Sequence, residues 1–293
     1  MVDIETVKKI VDKQLKDLPT LPSVVHEIVK IVDSPTTSAS DLNRAISIDQ
    51  ALSAKVLKLV NSAFYGFPKK IDTLTHAIVI LGFNTVRSLA LSISMLDFFS
   101  RRGVHHQLNY TEFWRHSIGV SVLSRYIAKG AFPAIAEECL VAGLLHDIGI
   151  LILDQFLPSD FSEALETMKN EQIELYKAEQ KTLGIDHCRV GRLLAEKWNM
   201  PDALLYPIAY HHDPLPSRDF YPITAVVHAA NLGIKLLKIS YIGDEDFIRP
   251  FHIRDEVRWV LRLHIDFPEN YREQLEKAMK ESEPFLGAIT GRE

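Results

Sequence analysis

The sequence is poor in cysteine and has no surplus of positive charge. Two cysteines, Cys139 and Cys188, stand far apart among 293 residues, which excludes a disulfide framework and fits a reducing compartment. Lys and Arg number 33 against 38 Asp and Glu, a formal net charge of −5. Nonspecific nucleic-acid binding needs a dense basic face, so none is expected. Low-complexity tracts, repeats of fixed period and strand alternation flanked by hairpin turns are missing as well. The stretch Met1–Glu5 offers no basic segment leading into an apolar one, so no secretory signal is expected and the cytoplasm is the expected location. What remains is an ordinary globular composition, 47% hydrophobic and 24% charged, with 13 Gly and 14 Pro, in a chain long enough for a sizeable core.

Apolar residues recur at three- and four-residue steps nearly everywhere, so the fold class is read as all-α, a multi-helix bundle. Asp49 is expected to cap a helix carrying Leu52, Val56, Leu57, Leu59, Val60 and Phe64, stopped by Gly66-Phe67-Pro68. The spacing predicts a short helix over Thr73–Leu81 ended by Gly82, and then a helix capped by Asn84 with Val86, Leu89, Ala90, Ile93 and Leu96 on one stripe. Further helices are predicted at Phe113–Tyr126, Ile135–Phe156, Cys188–Trp198 and Ile223–Leu237, and in the tail at Asp255–Leu263 and Pro268–Met279. A polar break at Ser100–His106 divides the chain into an N-terminal helical part (1–104), a second part (105–238) and an extension (239–293). The run Cys139–Leu157 is about long enough to span a bilayer, yet His146, Asp147, Asp154 and Gln155 interrupt it. An acid at a membrane centre costs roughly 2.5–3.5 kcal/mol, so a buried core helix with a polar pair at its middle is predicted, and no membrane contact.

Five of the 12 histidines and one acid fall inside or at the ends of the apolar helices of the second half: His116, His146, Asp147, His187, His211 and His212. A buried ionised Asp demands a cation or hydrogen-bond donors beside it. Neutral imidazole and carboxylate are the donors expected of a zinc, iron, manganese or nickel site. Plainer readings exist for each. His116 could bond a backbone carbonyl, Asp186 could simply cap the helix that His187 begins, and His211-His212 could end a helix where positive charge is favoured. His26, His76, His105, His106, His228, His252 and His264 are read as surface or packing residues, and Cys139 and Cys188 as core.

The order of several short stretches is more specific. These are Leu18-Pro19-Thr20-Leu21-Pro22, Asp49-Gln50-Ala51-Leu52, Asn61-Ser62-Ala63-Phe64-Tyr65-Gly66 and Ala77-Ile78-Val79-Ile80-Leu81-Gly82. Leu183-Gly184-Ile185-Asp186-His187, Trp198-Asn199-Met200-Pro201 and His211-His212 continue the series. With them, the chain from Leu18 to about Pro214 resembles the HDOD family, HD-related output domains of bacterial signalling proteins within the HD superfamily of metal-dependent phosphohydrolases. Gln50 stands where that family often has Pro.

The resemblance implies an HD-like bundle, a regulatory role with weak or no catalysis, and one or two divalent transition-metal ions (Fe, Mn, Ni or Zn). It also implies signalling protein partners acting in trans and a nucleotide-like ligand; no other cofactor is expected. Compared with the catalytic HD-GYP relatives, which cleave cyclic di-GMP, His146-Asp147-Ile148-Gly149 is intact. Ile150 takes the place of their lysine, no GYP motif follows His212, and Asn231 aligns with the final HD-type Asp. For an active site the resemblance implies His116, His146 and Asp147 on one ion and His187, His211 and His212 on a second, with Asp147 bridging as the catalytic candidate. Loss of an electrostatic donor such as the lysine costs on the order of 10²–10³ in rate, which tips the expectation from phosphohydrolase toward binding or sensing.

Overall fold

A computed structural model of the chain describes residues 38–61, 65, 67–100, 107–243, 253–264, 266–277 and 279–280, together with Val24, Glu27 and Ile28. The Leu18–Pro22 stretch, Ser62–Phe64 and Gly66 lie outside the described residues, as do His26, His105, His106, His252 and most of the break at 100–106. Among the described residues there is no strand, and the fold is all-α.

The first set of helices is α1 (Ala39–Ser47), α2 (Gln50–Val60), α3 (Leu74–Leu81) and α4 (Phe83–Ser100). Ser38 and Asp41 cap α1 reciprocally, and the Asp49 carboxylate accepts the Ala51 and Leu52 amides at the start of α2. Gly82 ends α3 with φ of 88°, a conformation that L side chains rarely adopt. Asn84 is not the cap of the next helix. Gly82 already reverses the chain and its carbonyl accepts the Val86 amide, so α4 begins at Phe83 and Asn84 sits inside its first turn. Asn61 joins α2 to the segment leading into α3: its Nδ2 donates to the carbonyls of Leu57 (2.9 Å) and Ile71 (2.7 Å), and its Oδ1 accepts the Ile71 amide (2.7 Å).

The second set is α5 (Tyr110–Ala131), α6 (Ala136–Leu145), α7 (Ile148–Phe156), α8 (Pro158–Glu171), α9 (Leu175–Thr182), α10 (His187–Lys197), α11 (Asp202–Tyr210) and α12 (Tyr221–Leu236). Short 3₁₀ turns occupy Pro133–Ile135 and Leu215–Phe220. Helix α5 is the axle. It is buried on nearly all sides and packs on α6 and α12, while α10 crosses α7 and lies beside α11. It also starts earlier than predicted, because Asn109 caps it through the Thr111 and Glu112 amides.

The predicted single helix over Ile135–Phe156 is instead two, α6 and α7, broken at His146-Asp147. The cause is the polar pair itself. The His146 Nδ1–H donates to the Gly143 carbonyl at 2.8 Å, the acceptor that a continuing helix would offer to the Asp147 amide. The stretch Pro133–Phe156 is long and apolar enough to cross a bilayer, but 89% of its most apolar window is buried inside the protein. The two acids-and-amides that interrupt it further on are anchors: Asp154 accepts the Gln107 amide (2.8 Å) and the Tyr110 hydroxyl (3.1 Å), and Gln155 donates to that same hydroxyl (3.0 Å).

In the tail, α13 (Asp255–Val260) packs on α12. The predicted helix at Pro268–Met279 opens as a 3₁₀ turn, Glu269–Tyr271, before the backbone becomes helical over 272–277. Val257, Leu261, Phe267 and Leu275 are buried in the same core as α5 and α12.

One crossing sets the geometry of everything below. A Cβ placed on Gly149 would lie 1.9 Å from the His187 carbonyl oxygen and 2.8 Å from the Gly191 amide nitrogen, both on α10. Only glycine lets α7 and α10 approach this closely, and that approach carries His187 to Asp147.

Candidate metal centre

The six residues come from four places: His116 from mid-α5, His146 and Asp147 from the α6–α7 break, His187 from the first position of α10, and His211 and His212 from the end of α11. The structure brings them together. From Asp147 Oδ2, the Nε2 atoms of His146 and His116 lie at 3.1 and 3.8 Å. From Asp147 Oδ1, the Nε2 atoms of His211 and His187 lie at 3.2 and 3.4 Å. His187 Nε2 is 3.1 Å from His212 Nε2 and 3.4 Å from His211 Nε2. One carboxylate thus faces two groups of imidazoles, one group on each oxygen.

Four of the rings are oriented by what their other nitrogen donates to. His116 Nδ1–H reaches the Ile239 carbonyl (2.9 Å), His146 Nδ1–H the Gly143 carbonyl (2.8 Å) and His211 Nδ1–H the Pro207 carbonyl (3.2 Å). His187 Nδ1–H is bound by the buried Glu179 carboxylate (2.7 Å), which also accepts the His187 backbone amide (2.8 Å). With the Nδ1 protons of these four rings committed, their Nε2 atoms face one another and Asp147. His187 Nε2 lies 3.1–3.4 Å from the Nε2 atoms of His212 and His211, spacings that a shared proton or a shared metal ion can fill. The Nε2 atoms of His116 and His146, and Asp147 Oδ1, have no hydrogen-bond partner although they are buried. Two nitrogens at about 2.0–2.1 Å from one tetrahedral ion are about 3.4 Å apart, so the observed spacings fit ligand edges. The residues present therefore fit a divalent metal ion, held in the manner of imidazoles aimed by outer carbonyl and carboxylate partners.

Protonation follows burial and the neighbouring charges, and His187 differs from the other rings. Burial, with the adjacent His146 ring, pushes His116 down to about 4. Burial likewise lowers His211 to about 4 and, with His211 and His187 beside it, takes His212 well below its ordinary value. Burial alone would raise Asp147, but His146, His211 and His187 hold it well below the usual carboxylate range. Against burial, the Glu179 carboxylate holds His187 well above its ordinary value, while burial raises Glu179 itself. The centre is an anionic carboxylate beside the neutral imidazoles of His116, His211 and His212, and an ion bound there would displace the second proton that Glu179 helps His187 to keep.

Several contributors were not legible as site residues. Glu179 sits with Leu175, Ala178 and Thr182 at i, i+3, i+4 and i+7 spacing, so an acid on the inward face of α9 was the available signal. Tyr241 donates its hydroxyl to Asp147 Oδ2 (2.7 Å) and sets its ring edge-on to His116 (5.1 Å between centroids). His228 is a buried packing residue whose Nδ1–H donates to the His211 carbonyl (2.7 Å). Asn231, where the HD pattern has Asp, is buried with its Oδ1 unpartnered, and Lys235 on the same face of α12 is buried too. Ile150 is a core residue and supplies no charge. Cys188 Sγ lies 3.7 Å from both ring nitrogens of His211. Cys188 Sγ thus lies close enough to share an ion with His187, His211 and His212, although burial pushes its thiol up to about 12.

Comparison with known proteins matches this architecture. The HDOD domain family model matches residues 18–214. An uncharacterised protein of Treponema pallidum is 27% identical over 231 residues, covering 76% of this chain, which spans only 43% of that protein. The crystal structure of an HDOD domain protein of unknown function from Geobacter sulfurreducens superposes with a TM-score of 0.70 at 26% identity, covering 99% of this chain and 97% of that one. A Marinobacter aquaeolei protein, provisionally named a signal transduction protein, shares the fold with a TM-score of 0.75 at 19% identity, over 98% of this chain and 66% of that one. With a match that runs from the N-terminal helices through the histidine centre, this chain belongs to the HDOD family.

Proposed function

We propose that this protein is a cytoplasmic regulatory module of the HD superfamily that holds divalent transition metal, iron, manganese, nickel or zinc, and communicates with signalling partners in trans. The supporting observation is the convergence of five imidazoles on Asp147, four of them with the Nδ1 proton tied elsewhere. His116 and His146 with Asp147 Oδ2 form one donor set; His187, His211 and His212 with Asp147 Oδ1 form the other. When bound, a divalent ion supplies Lewis-acid stabilisation of charge developing on a phosphoryl oxygen. The protein's own residues contribute orientation and dryness. Carbonyls and Glu179 fix the rings, the Tyr241 hydroxyl holds Asp147, and the apolar walls of α6 and α7 exclude water.

A second reading, slow phosphoester hydrolysis of a nucleotide or cyclic dinucleotide, is favoured by the retention of five histidines and Asp147 at one centre. Against it stand Ile150 and Asn231, which leave the centre without the lysine and the final carboxylate of its catalytic relatives. The deciding experiment is elemental analysis of protein grown with each metal, then of His146→Ala and Asp147→Ala. One or two ions per wild-type chain and under a tenth in the variants is expected; an empty wild type overturns the metal reading. Metal-loaded protein is then incubated with nucleotides, cyclic dinucleotides and a generic phosphodiester. Binding without turnover selects the module; turnover abolished by His146→Ala selects the enzyme.

A further inference from the structure

The two donor sets are not equally accessible. His116, His146, Asp147, His187 and His211 are at most 3% exposed, and His212 alone is partly open. It opens onto a cleft of about 530 Å³ between α10, α9 and the end of α11. That size is ordinary for a small-molecule site. The Tyr176 ring stacks on His212 at 4.2 Å and 20°, and Tyr210 lines the opposite wall.

The charges of the cleft are the informative part. Its acids are already engaged: Asp186 caps α10 and accepts from Gln180, Glu196 pairs with Arg192 (2.7 Å), and Asp213 pairs with Arg254 (3.1 Å). Arg192 is held by Glu196 and by the Tyr210 hydroxyl (2.9 Å). Arg189, one turn earlier on the same helix, is exposed, and its guanidinium has no ion-pair or hydrogen-bond partner among the described residues. An uncommitted guanidinium beside one held by an exposed, exchangeable acid and a tyrosine hydroxyl makes a pair suited to a phosphoryl group. Tyrosine rings flanking it suit a planar ring.

We propose that this cleft binds a phosphorylated ligand bearing a planar ring, its phosphoryl group gripped by Arg189 and Arg192 and turned toward the His187–His211–His212 set. The inference extends the metal reading by naming the ligand class and the side of approach. Binding requires Arg192 to exchange Glu196 for the ligand, so Glu196 acts as an internal competitor.

The test is calorimetric titration of the full chain, metal-loaded and chelator-stripped, with the four nucleoside 5′-monophosphates and their unphosphorylated nucleosides. At least one monophosphate is expected to bind tenfold or more tightly than its nucleoside. Arg189→Ala with Arg192→Ala is expected to erase that advantage, leaving metal content and melting temperature unchanged. Glu196→Gln is expected to tighten binding severalfold, an opposite sign that general damage to the fold does not produce. Equal affinity for monophosphates and nucleosides, no binding of any, or wild-type binding by the double variant overturns the proposal. Metal assayed on the same samples separates the two ideas: ions present without arginine-dependent binding refutes the cleft, and arginine-dependent binding without ions refutes the metal reading.

Discussion

Gly149→Ala is the substitution that most directly tests how the centre is built. The added Cβ would meet the His187 carbonyl oxygen at 1.9 Å, whereas a carbon and an oxygen settle no closer than about 3.3 Å. The α7–α10 crossing must therefore open by more than about 1 Å, and the obstacle is backbone, which cannot rotate aside. Overpacking of this kind costs about 1–3 kcal/mol, and a backbone clash belongs at the upper end. At about 2–4 °C per kcal/mol for a chain near this size, the melting temperature falls by about 6–12 °C. The same displacement carries His187 away from Asp147, so bound metal falls with it. Gly130→Ala is the control: nothing lies within 4 Å of its Cβ position, and alanine in a helix is worth about 0.5–1 kcal/mol over glycine. The readouts are thermal unfolding by circular dichroism and metal content per chain. A Gly149→Ala protein that melts within a degree of wild type and keeps its metal would refute the argument.

Other expectations follow from the same geometry. Glu179→Leu leaves the His187 Nδ1 proton without an acceptor and should lower metal affinity about 10–100-fold, read by competition with a chromogenic chelator. Tyr241→Phe removes a hydrogen bond to a charged acceptor and should cost the metal-free protein about 1.5–3 kcal/mol in denaturant unfolding. Asn61→Ala severs two bonds between the end of α2 and Ile71, and a third within the last turn of α2, and should cost about 1–3 kcal/mol by the same assay, with metal content unchanged. Stripping the metal should lower the melting temperature, because an ion present at 100 times its dissociation constant stabilises the folded state by about 2.7 kcal/mol. Reloading should restore it, and insensitivity to chelation would count against occupancy.

The sequence was informative where side-chain chemistry and local periodicity act alone. The caps at Asp49 and Asp186, the stop at Gly82 and the six metal-suited residues could all be read from residue type and spacing. It misled where local pattern and a side chain competed for the same backbone group: the apolar rhythm of Ile135–Phe156 runs unbroken through a turn that His146 creates by taking the Gly143 carbonyl. It was silent where contacts are long-range. Glu179 is marked locally only as an acid on an inward helix face, not as the partner of His187, and Tyr241, 94 residues from Asp147, is not marked at all. Asn61 appeared only as part of a motif, and its work as a clamp on Ile71 needed coordinates to see.

Three of the four aimed rings take their bearing from main-chain oxygens, those of Ile239, Gly143 and Pro207, and only His187 answers to another side chain. Main-chain oxygens survive every point mutation that leaves the helices in place. Drift at neighbouring positions can therefore delete a donor from this centre, but at three of its corners it has no easy means of re-aiming one. Glu179 is the exception among these four rings, a locus where inheritance could retune the grip on an ion by degrees.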